Sequence, residues 1–192
     1  MAKKYDFPKL SAAQVAAGLK ARYRAPQWAT FMEVHDSTGA GMSRSVDLLA
    51  CSLWPSDNFV VHGFEIKISR GDFQRELKTP QKAEAIARYC DTWSVACPEG
   101  MVDREELPAG WGLFEVGADG KWRWSVSPAN RVPVPWPLSF RASVLRRAHE
   151  AATSTSELVA ERGAAFLEAK REVERAFADR VERADRRAED AD

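Results

Sequence analysis

Apolar residues recur with two different spacings in the first third of the chain, one typical of helices and one typical of strands. In residues 11–23 they stand at every fourth position behind Ser11, a residue type that caps helices, which predicts an amphipathic helix. Alternating or continuous apolar runs then predict three strands, at residues 28–35, 44–54 and 59–69. The link Pro55-Ser56-Asp57-Asn58 has the residue types of a hairpin turn, so the second and third strands are expected to pair.

The rest of the chain changes from helix to strands and back to helix. Residues 70–90 have helical character but are interrupted at Thr79-Pro80, because proline removes a backbone donor and clashes with the preceding turn. Further strands are predicted at residues 92–97, 111–116 and 121–126. Residues 128–137 hold four prolines and are expected to be extended, and a charged helix follows from about residue 139.

This order of elements predicts an α/β fold, with one mixed β-sheet flanked by helices. At 192 residues the chain is long enough for one domain with a full hydrophobic core. We therefore expect a folded domain over residues 1–137 and a charged helical C-terminal arm over residues 138–192. The arm has a narrow apolar stripe without a sustained heptad repeat. It is either a helix that binds a second copy or another protein, or a solvated helix packed weakly on its own domain.

Composition and charge narrow the possible classes of protein. Residues 157–192 hold 11 acidic and 8 basic residues, a balance of −3, so the rest of this neutral chain carries +3 (20 bases and 17 acids). That charge is compatible with local phosphate binding but does not by itself indicate a nucleic-acid-binding protein. The three cysteines lack metal-ligand spacing, and no apolar run reaches the roughly 18 residues of a membrane span. We expect a cytoplasmic protein without a membrane partner.

The candidate chemistry lies in the hairpin of residues 44–69. Alternate residues of a strand share a face, so Glu65 and Lys67 point to the same side of the sheet. A turn centred near residues 56–58 places Asp47 opposite Glu65 or its immediate neighbour, whereas a register shifted by one residue turns Asp47 to the other face. The expected register brings two carboxylates and one ammonium group together.

These groups suit a Mg²⁺ site. Mg²⁺ prefers oxygen ligands and takes one or two carboxylates together with water and substrate phosphate. Asp47, Glu65 and the backbone carbonyl of Ile66 are the expected ligands. Lys67 is expected to orient a metal-bound water or to stabilise the transition state. The alternative is an amphipathic strand with a cross-strand salt bridge on its wet face, since a Glu and a Lys two residues apart are common in strands.

The residues around this hairpin resemble those of a known family. The sequences VDLLA (46–50) and GFEIKISRGDF (63–73) resemble the PD-(D/E)XK nuclease superfamily, and within it bacterial and phage proteins related to MmcB-type DNA repair proteins. Tyr89-Cys90-Asp91 and the segment PAGWGL (108–113) are similar to later blocks of the same group. The resemblance covers roughly residues 28–127 and departs from the superfamily pattern at Val46, where that pattern has proline.

This resemblance implies a restriction-endonuclease-like fold and a Mg²⁺-dependent deoxyribonuclease, with Mn²⁺ able to substitute, acting in DNA repair, recombination or phage DNA processing. It implies catalytic roles for Asp47, Glu65 and Lys67, and Glu33 resembles the position of another acid near the metal. A second interpretation is a catalytically silent nucleic-acid-binding module on the same fold. A third is a partner-docking protein whose function lies in the C-terminal arm.

Basic residues that follow the hairpin are candidates for contact with the phosphates of DNA. Arg70 and Lys78 are expected in a basic rim, and Lys82 resembles superfamily positions that place phosphate or water. Each of these side chains has an ordinary alternative as a solvated residue of an exposed helix face. Asp72 is expected to cap the helix that begins there, because acids are favourable near helix starts.

Overall fold

The computed structural model of the chain describes residues 5–39, 42–79 and 81–189, with side chains described at most positions up to residue 171. Within these residues the β-sheet has six strands in the order β1 to β6, so each strand lies beside its neighbour in sequence. They are β1 (Trp28–His35), β2 (Ser45–Ser52), β3 (Val61–Ile66), β4 (Thr92–Pro98), β5 (Gly112–Val116) and β6 (Trp122–Val126). The pairs β1/β2, β2/β3 and β5/β6 are antiparallel, whereas β3/β4 and β4/β5 are parallel. The sheet is mixed, as predicted.

Helices lie on both faces of this sheet. The first, α1 (Ala12–Arg22), begins after Ser11, whose side chain caps its first turn. The others are α2 (Arg70–Leu77), α3 (Gln81–Ala87) and α4 (Leu138–Glu189). Apolar residues of α1 pack with Phe64 on one face, while those of α2, α3 and the start of α4 pack with Trp93 on the other. The predicted α/β class, with a mixed sheet flanked by helices and a C-terminal helix, is therefore confirmed.

The crossover from β3 to β4 runs through α2 and α3. A parallel pair of strands needs such a crossover, and it places both helices over the face that Trp93 occupies. The predicted break between two short helices is present, since α2 ends at Leu77 and α3 begins at Gln81. Pro80, to which the break was assigned, lies outside the described residues.

The link between β2 and β3 is longer than the tight turn expected from its sequence. Residues Pro55–Asp57 form one turn of 3₁₀ helix. Asn58 and Phe59 then adopt φ angles of 51° and 53°, in the left-handed region. Both flanking strands are shorter than predicted, because this irregular segment takes up residues 53–54 and 59–60. The far end of β3 is shorter as well, since it ends at Ile66, ahead of the Ser69 cap of α2.

The chain divides into two compact units after Arg147. The first turns of α4 belong to the first unit, where Phe140 and Val144 are buried. The Phe140 ring stacks on Tyr89 with 4.8 Å between centroids. The Trp136 indole N–H donates to the Tyr89 carbonyl at 2.9 Å. The first unit therefore includes the start of the helix that the sequence assigned to the arm.

The second unit is the remainder of α4, beginning at Ala148. Val159, Phe166 and Leu167 are exposed on its surface. Among the described residues, no helix combines the length and the apolar character that crossing a membrane requires. Binding of a second copy or another protein through this helix stays a prediction.

Candidate metal and phosphate site

The register of β2 against β3 places Asp47 beside Glu65. The two strands pair antiparallel with Leu48 opposite Phe64. One step further along each strand are Asp47 and Glu65. The Asp47 carboxylate also contacts the hairpin backbone, because the N–H of Ile66 donates to Asp47 Oδ2 at 2.7 Å. The register expected from the sequence is the one observed, and the two carboxylates share a face of the sheet.

Glu65 is buried on the face of the sheet that α2 and α3 cover. It is 9% exposed and lies four positions after Val61, which packs in the core of that face. Phe64 and Ile66 point to the opposite face, where α1 packs. A buried carboxylate is costly unless it is paired or bound to a metal. The fold therefore places an acidic group where it needs a cation.

Lys67 joins Glu65 to a residue of α2 that the sequence analysis missed. Lys67 Nζ lies 3.0 Å from Glu65 Oε2 and 3.1 Å from Glu76 Oε2. All three side chains are largely buried, between 12% and 18% exposed. Helical periodicity is the signal that leads to Glu76, since it follows the buried Phe73 by three positions and so lies on the same side of α2.

Negative charge exceeds positive charge around Lys67. Burial and repulsion from the Asp47 carboxylate raise the pKa of Glu65 to about 7, although Lys67 acts in the opposite direction. At Lys67 burial acts to lower the pKa, but the carboxylates of Glu65 and Glu76 outweigh burial and raise it. Three carboxylates thus act on one ammonium group, and their excess negative charge favours further cations nearby, either basic side chains or a divalent metal ion.

A cavity of about 260 Å³ opens beside Glu65 and Glu76. Its wall contains two basic side chains, those of Arg44, the residue immediately before β2, and of Lys82 in α3. Ser43, Ser45 and Ala83 complete the lining. The cavity therefore brings Lys82, a predicted phosphate contact, to the same site as Glu65, one of the two predicted carboxylates, and it adds Arg44.

Hydrogen bonds with Asp36 fix the backbone that carries Arg44. The backbone N–H and the hydroxyl of Ser43 both donate to the Asp36 carboxylate. The Asp36 N–H in turn donates to the Arg44 carbonyl at 2.9 Å. Burial of Asp36 opposes these bonds, but the hydrogen bonds from Ser43 prevail and lower its pKa. The sequence pattern gives no signal for Arg44, because its contribution depends on these hydrogen bonds and not on strand periodicity.

The oxygen atoms at this site fit a small divalent cation. Within the described residues, no three His, Cys, Asp or Glu side chains lie close enough together to hold a metal ion. Mg²⁺ does not require three, because it takes one or two carboxylates and fills its shell with water and phosphate oxygens. Asp47 and Glu65, together with the Ile66 carbonyl that lies between Glu65 and Lys67 along the strand, form such a set of hard ligands.

Glu33 does not complete a three-acid site with Asp47 and Glu65, since no such group occurs in the part of the chain that the structure describes. Its side chain is exposed, and its φ of 51° interrupts the regular pairing of β1 with β2. The Glu33 carbonyl accepts a hydrogen bond from Arg147 Nε at 3.1 Å. The pairs Met32/Leu48 and Val34/Val46 on either side still place Glu33 across from Asp47, so its position near the metal stays a prediction.

Arg70, which the sequence placed in a DNA-binding rim, is engaged inside the domain. Its guanidinium pairs with the two carboxylate oxygens of Glu106 at 2.6 and 2.5 Å and donates to the Met101 carbonyl. Its side chain is only 16% exposed and lies over the ring of Tyr5, 3.8 Å from the centroid. Arg70 fastens the start of α2 to the segment between β4 and β5. The predicted phosphate contact is therefore corrected to a structural role.

The two ends of α2 carry the remaining candidates. Lys78 is exposed at the C-terminal end, where a side chain can reach solvent or phosphate. At the other end Ser69 is the N-cap and accepts a hydrogen bond from the Asp72 N–H at 3.2 Å. The Asp72 carboxylate accepts from the Ser69 hydroxyl at 2.9 Å. Asp72 therefore supports the cap from the first turn, whereas the capping residue itself is Ser69.

The raised pKa of Glu65 predicts how stability depends on pH in the absence of divalent metal. Its pKa of about 7 in the folded protein lies above the ordinary value of 4.5, so the folded state binds the proton more tightly. This contribution to stability is complete below pH 4.5 and is lost as pH rises through 7. We expect Glu65→Gln to be more stable than the wild type above pH 7, by roughly 2 kcal/mol.

Urea unfolding of both proteins in EDTA between pH 4.5 and 8 measures this difference. The two curves of unfolding free energy should converge near pH 4.5 and separate as the pH rises. A constant difference over the whole range contradicts the prediction, because it places the ionisation of Glu65 outside that range.

Comparisons with known proteins extend the description of the fold. No protein-family model matches the chain, and no curated protein matches it in sequence. The solved structure of SPO1766, a protein of unknown function from Silicibacter pomeroyi, is similar, with a TM-score of 0.55 and 22% sequence identity. The match covers 79% of this chain and 93% of the SPO1766 chain. At this level of identity the likeness establishes a shared fold alone.

Proposed function

We propose that this protein is a Mg²⁺-dependent deoxyribonuclease with a restriction-endonuclease-like fold, in which Mn²⁺ can replace Mg²⁺. The observation that carries the proposal is the meeting of Asp47, Glu65 and Lys67 on one face of β2 and β3. The adjoining cavity has basic side chains in its wall. Metal-assisted hydrolysis of a phosphodiester uses such a combination of carboxylates and cationic groups. The resemblance of the sequence to PD-(D/E)XK nucleases supports the same proposal.

Each residue of the site has a distinct proposed role. Asp47, Glu65 and the Ile66 carbonyl bind the metal, which when bound lowers the pKa of a water molecule and neutralises charge on the scissile phosphate. Lys67 orients the attacking water or stabilises charge on the phosphate oxygens. The carboxylates beside Lys67 raise its pKa, so it acts as an electrostatic group and not as a base.

DNA is the proposed substrate and partner. Lys82 and Arg44 in the cavity wall, and the exposed Lys78 at the end of α2, are the proposed contacts to backbone phosphates. Such contacts provide affinity and orientation but carry no sequence information. A role in DNA repair, recombination or phage DNA processing belongs to the same proposal. So does a cytoplasmic location, with which the free thiols of Cys51, Cys90 and Cys97 are compatible.

A cleavage assay on the purified full chain tests the proposal. The substrates are plasmid, linear duplex, single-stranded and branched DNA, each incubated with Mg²⁺, with Mn²⁺ or with EDTA. We expect cleavage of at least one substrate with either metal and none with EDTA, because the site needs a divalent cation. Absence of cleavage with Mn²⁺ across all four substrates contradicts the nuclease. Gel-shift binding of the same DNA in EDTA then supports the catalytically silent binding module instead.

A further inference from the structure

Lys67 has two carboxylate partners, and the proposed metal competes with it for one of them. Glu65 Oε2 lies 3.0 Å from Lys67 Nζ, and Glu65 is also a proposed metal ligand. Glu76 Oε2 lies 3.1 Å from the same nitrogen but comes from α2, outside the hairpin that carries the proposed ligands. When a divalent cation takes oxygens of Glu65, the ammonium group keeps Glu76 as its carboxylate partner.

We infer that Glu76 is a positioning residue that holds the Lys67 ammonium group in place while Glu65 exchanges that group for a divalent cation. This inference rests on the proposed function, since it concerns how the same site accepts its metal. It assigns a role to a residue of α2 that the sequence pattern of the hairpin does not include.

The two side chains have fixed attachment points, so their separation is set by the fold. The Lys67 backbone N–H donates to the Ala96 carbonyl at 2.9 Å, which anchors the end of β3 against β4. Phe73, three positions before Glu76, is fully buried and anchors α2 over the sheet. A lysine side chain is flexible and loses its preferred position when its partner is removed. Glu76 therefore limits where the Lys67 ammonium group can go.

Electrostatics explain why a second carboxylate is needed. The ammonium group and a divalent cation repel each other, and both are attracted to Glu65. With Glu76 neutralised, Lys67 depends on Glu65 alone and obstructs the metal, or it leaves the site for solvent. The burial of all three side chains, at 12% to 18% exposure, strengthens these interactions relative to a surface ion pair. Glu76 allows both cations to occupy the site together.

A structure of the wild-type protein with Mn²⁺ gives the direct test. We expect Mn²⁺ between Asp47 and Glu65, with Lys67 Nζ moved away from Glu65 and still within hydrogen-bond distance of Glu76. Mn²⁺ bound there with Lys67 Nζ away from Glu76 overturns this inference and leaves the metal site intact. Absence of Mn²⁺ from the carboxylate pair overturns the metal site and the inference together. The expected geometry in a protein that cleaves no DNA supports the inference and contradicts the nuclease.

Metal affinity in solution gives a second test that does not depend on cleavage. Glu76→Gln keeps the size of the side chain and removes its charge, and we expect its Mn²⁺ dissociation constant to rise about tenfold, the effect of losing one charge-assisted hydrogen bond. Glu84→Gln is the matched control, because Glu84 is exposed on α3 and pairs with Arg131 outside the cavity. We expect less than a twofold change for this control.

Equal Mn²⁺ affinity in Glu76→Gln and the control overturns the inference. Urea unfolding of each variant, measured in parallel, separates loss of the fold from loss of metal binding. If the ion pair between Lys67 and Glu76 is merely structural, its loss lowers stability without changing the affinity of the folded protein for Mn²⁺.

Discussion

Replacing Asp47 by Asn is expected to lower Mn²⁺-dependent DNA cleavage by roughly a thousandfold or more, because the metal that Asp47 is proposed to bind would supply several kcal/mol of transition-state stabilisation. The amide keeps an oxygen that can accept the hydrogen bond from the Ile66 N–H, so the hairpin geometry is retained. It loses the negative charge that the metal needs. The rate constant for plasmid or oligonucleotide cleavage measures the effect.

Asp119→Asn is the matched control for this substitution. Asp119 lies in the turn between β5 and β6, and its carboxylate pairs with Lys121 at 2.9 Å, away from the candidate site. We expect wild-type cleavage from the control and an unchanged unfolding midpoint for both variants. Cleavage by Asp47→Asn within tenfold of the wild type would falsify the assignment of Asp47 as a metal ligand.

The second large effect is a loss of stability, and it concerns Gly63 of β3, which lies against the ring of Trp93. A Cβ atom added at Gly63 would lie 2.4 Å from two carbon atoms of the Trp93 ring and 3.0 Å from Cys90 Sγ. Trp93 is 1% exposed and packs edge to face against Trp111, so the ring has no free space into which to move. We expect Gly63→Ala to lower the free energy of unfolding by about 3 kcal/mol, at the upper end for overpacking.

Gly71→Ala provides the comparison for that measurement. Gly71 lies in the first turn of α2, and an added Cβ meets no atom within 4 Å. Alanine has a higher helix propensity than glycine, so the unfolding free energy of Gly71→Ala should rise by up to about 1 kcal/mol. Urea unfolding at one pH compares the two variants with the wild type. Similar stability in both variants contradicts the steric argument for Gly63.

The strands and their register could be predicted because local pattern determines them. Alternation along β3 assigns Glu65 and Lys67 to one face, and the link to β2 leaves Asp47 opposite Glu65. The precise shape of that link was less predictable. Asn58 and Phe59 both adopt left-handed backbone angles, and phenylalanine gives no local signal for this conformation.

The partners of charged side chains could not be predicted, because they belong to distant elements. Arg70 pairs with Glu106, 36 positions away, and no spacing rule connects the two. An arginine on an exposed helix face can bind phosphate, whereas an arginine in a partly buried position can form a structural ion pair. Tertiary packing decides between these roles. The position of Glu76 on the buried side of α2 could have been predicted, since it follows the buried Phe73 by three positions in the helix.

The hydrogen bond from the Ile66 N–H to Asp47 has a consequence for ion selectivity. It uses one acceptor position of Asp47 Oδ2, so Oδ1 is the less encumbered oxygen for a cation. One-oxygen coordination suits small ions with octahedral shells and ordered water, such as Mg²⁺. Ca²⁺ takes six to eight oxygens at longer distances and often binds carboxylates through both atoms. In the proposed metal site, a single backbone amide would thus favour the smaller ion, even though both ions carry the same charge.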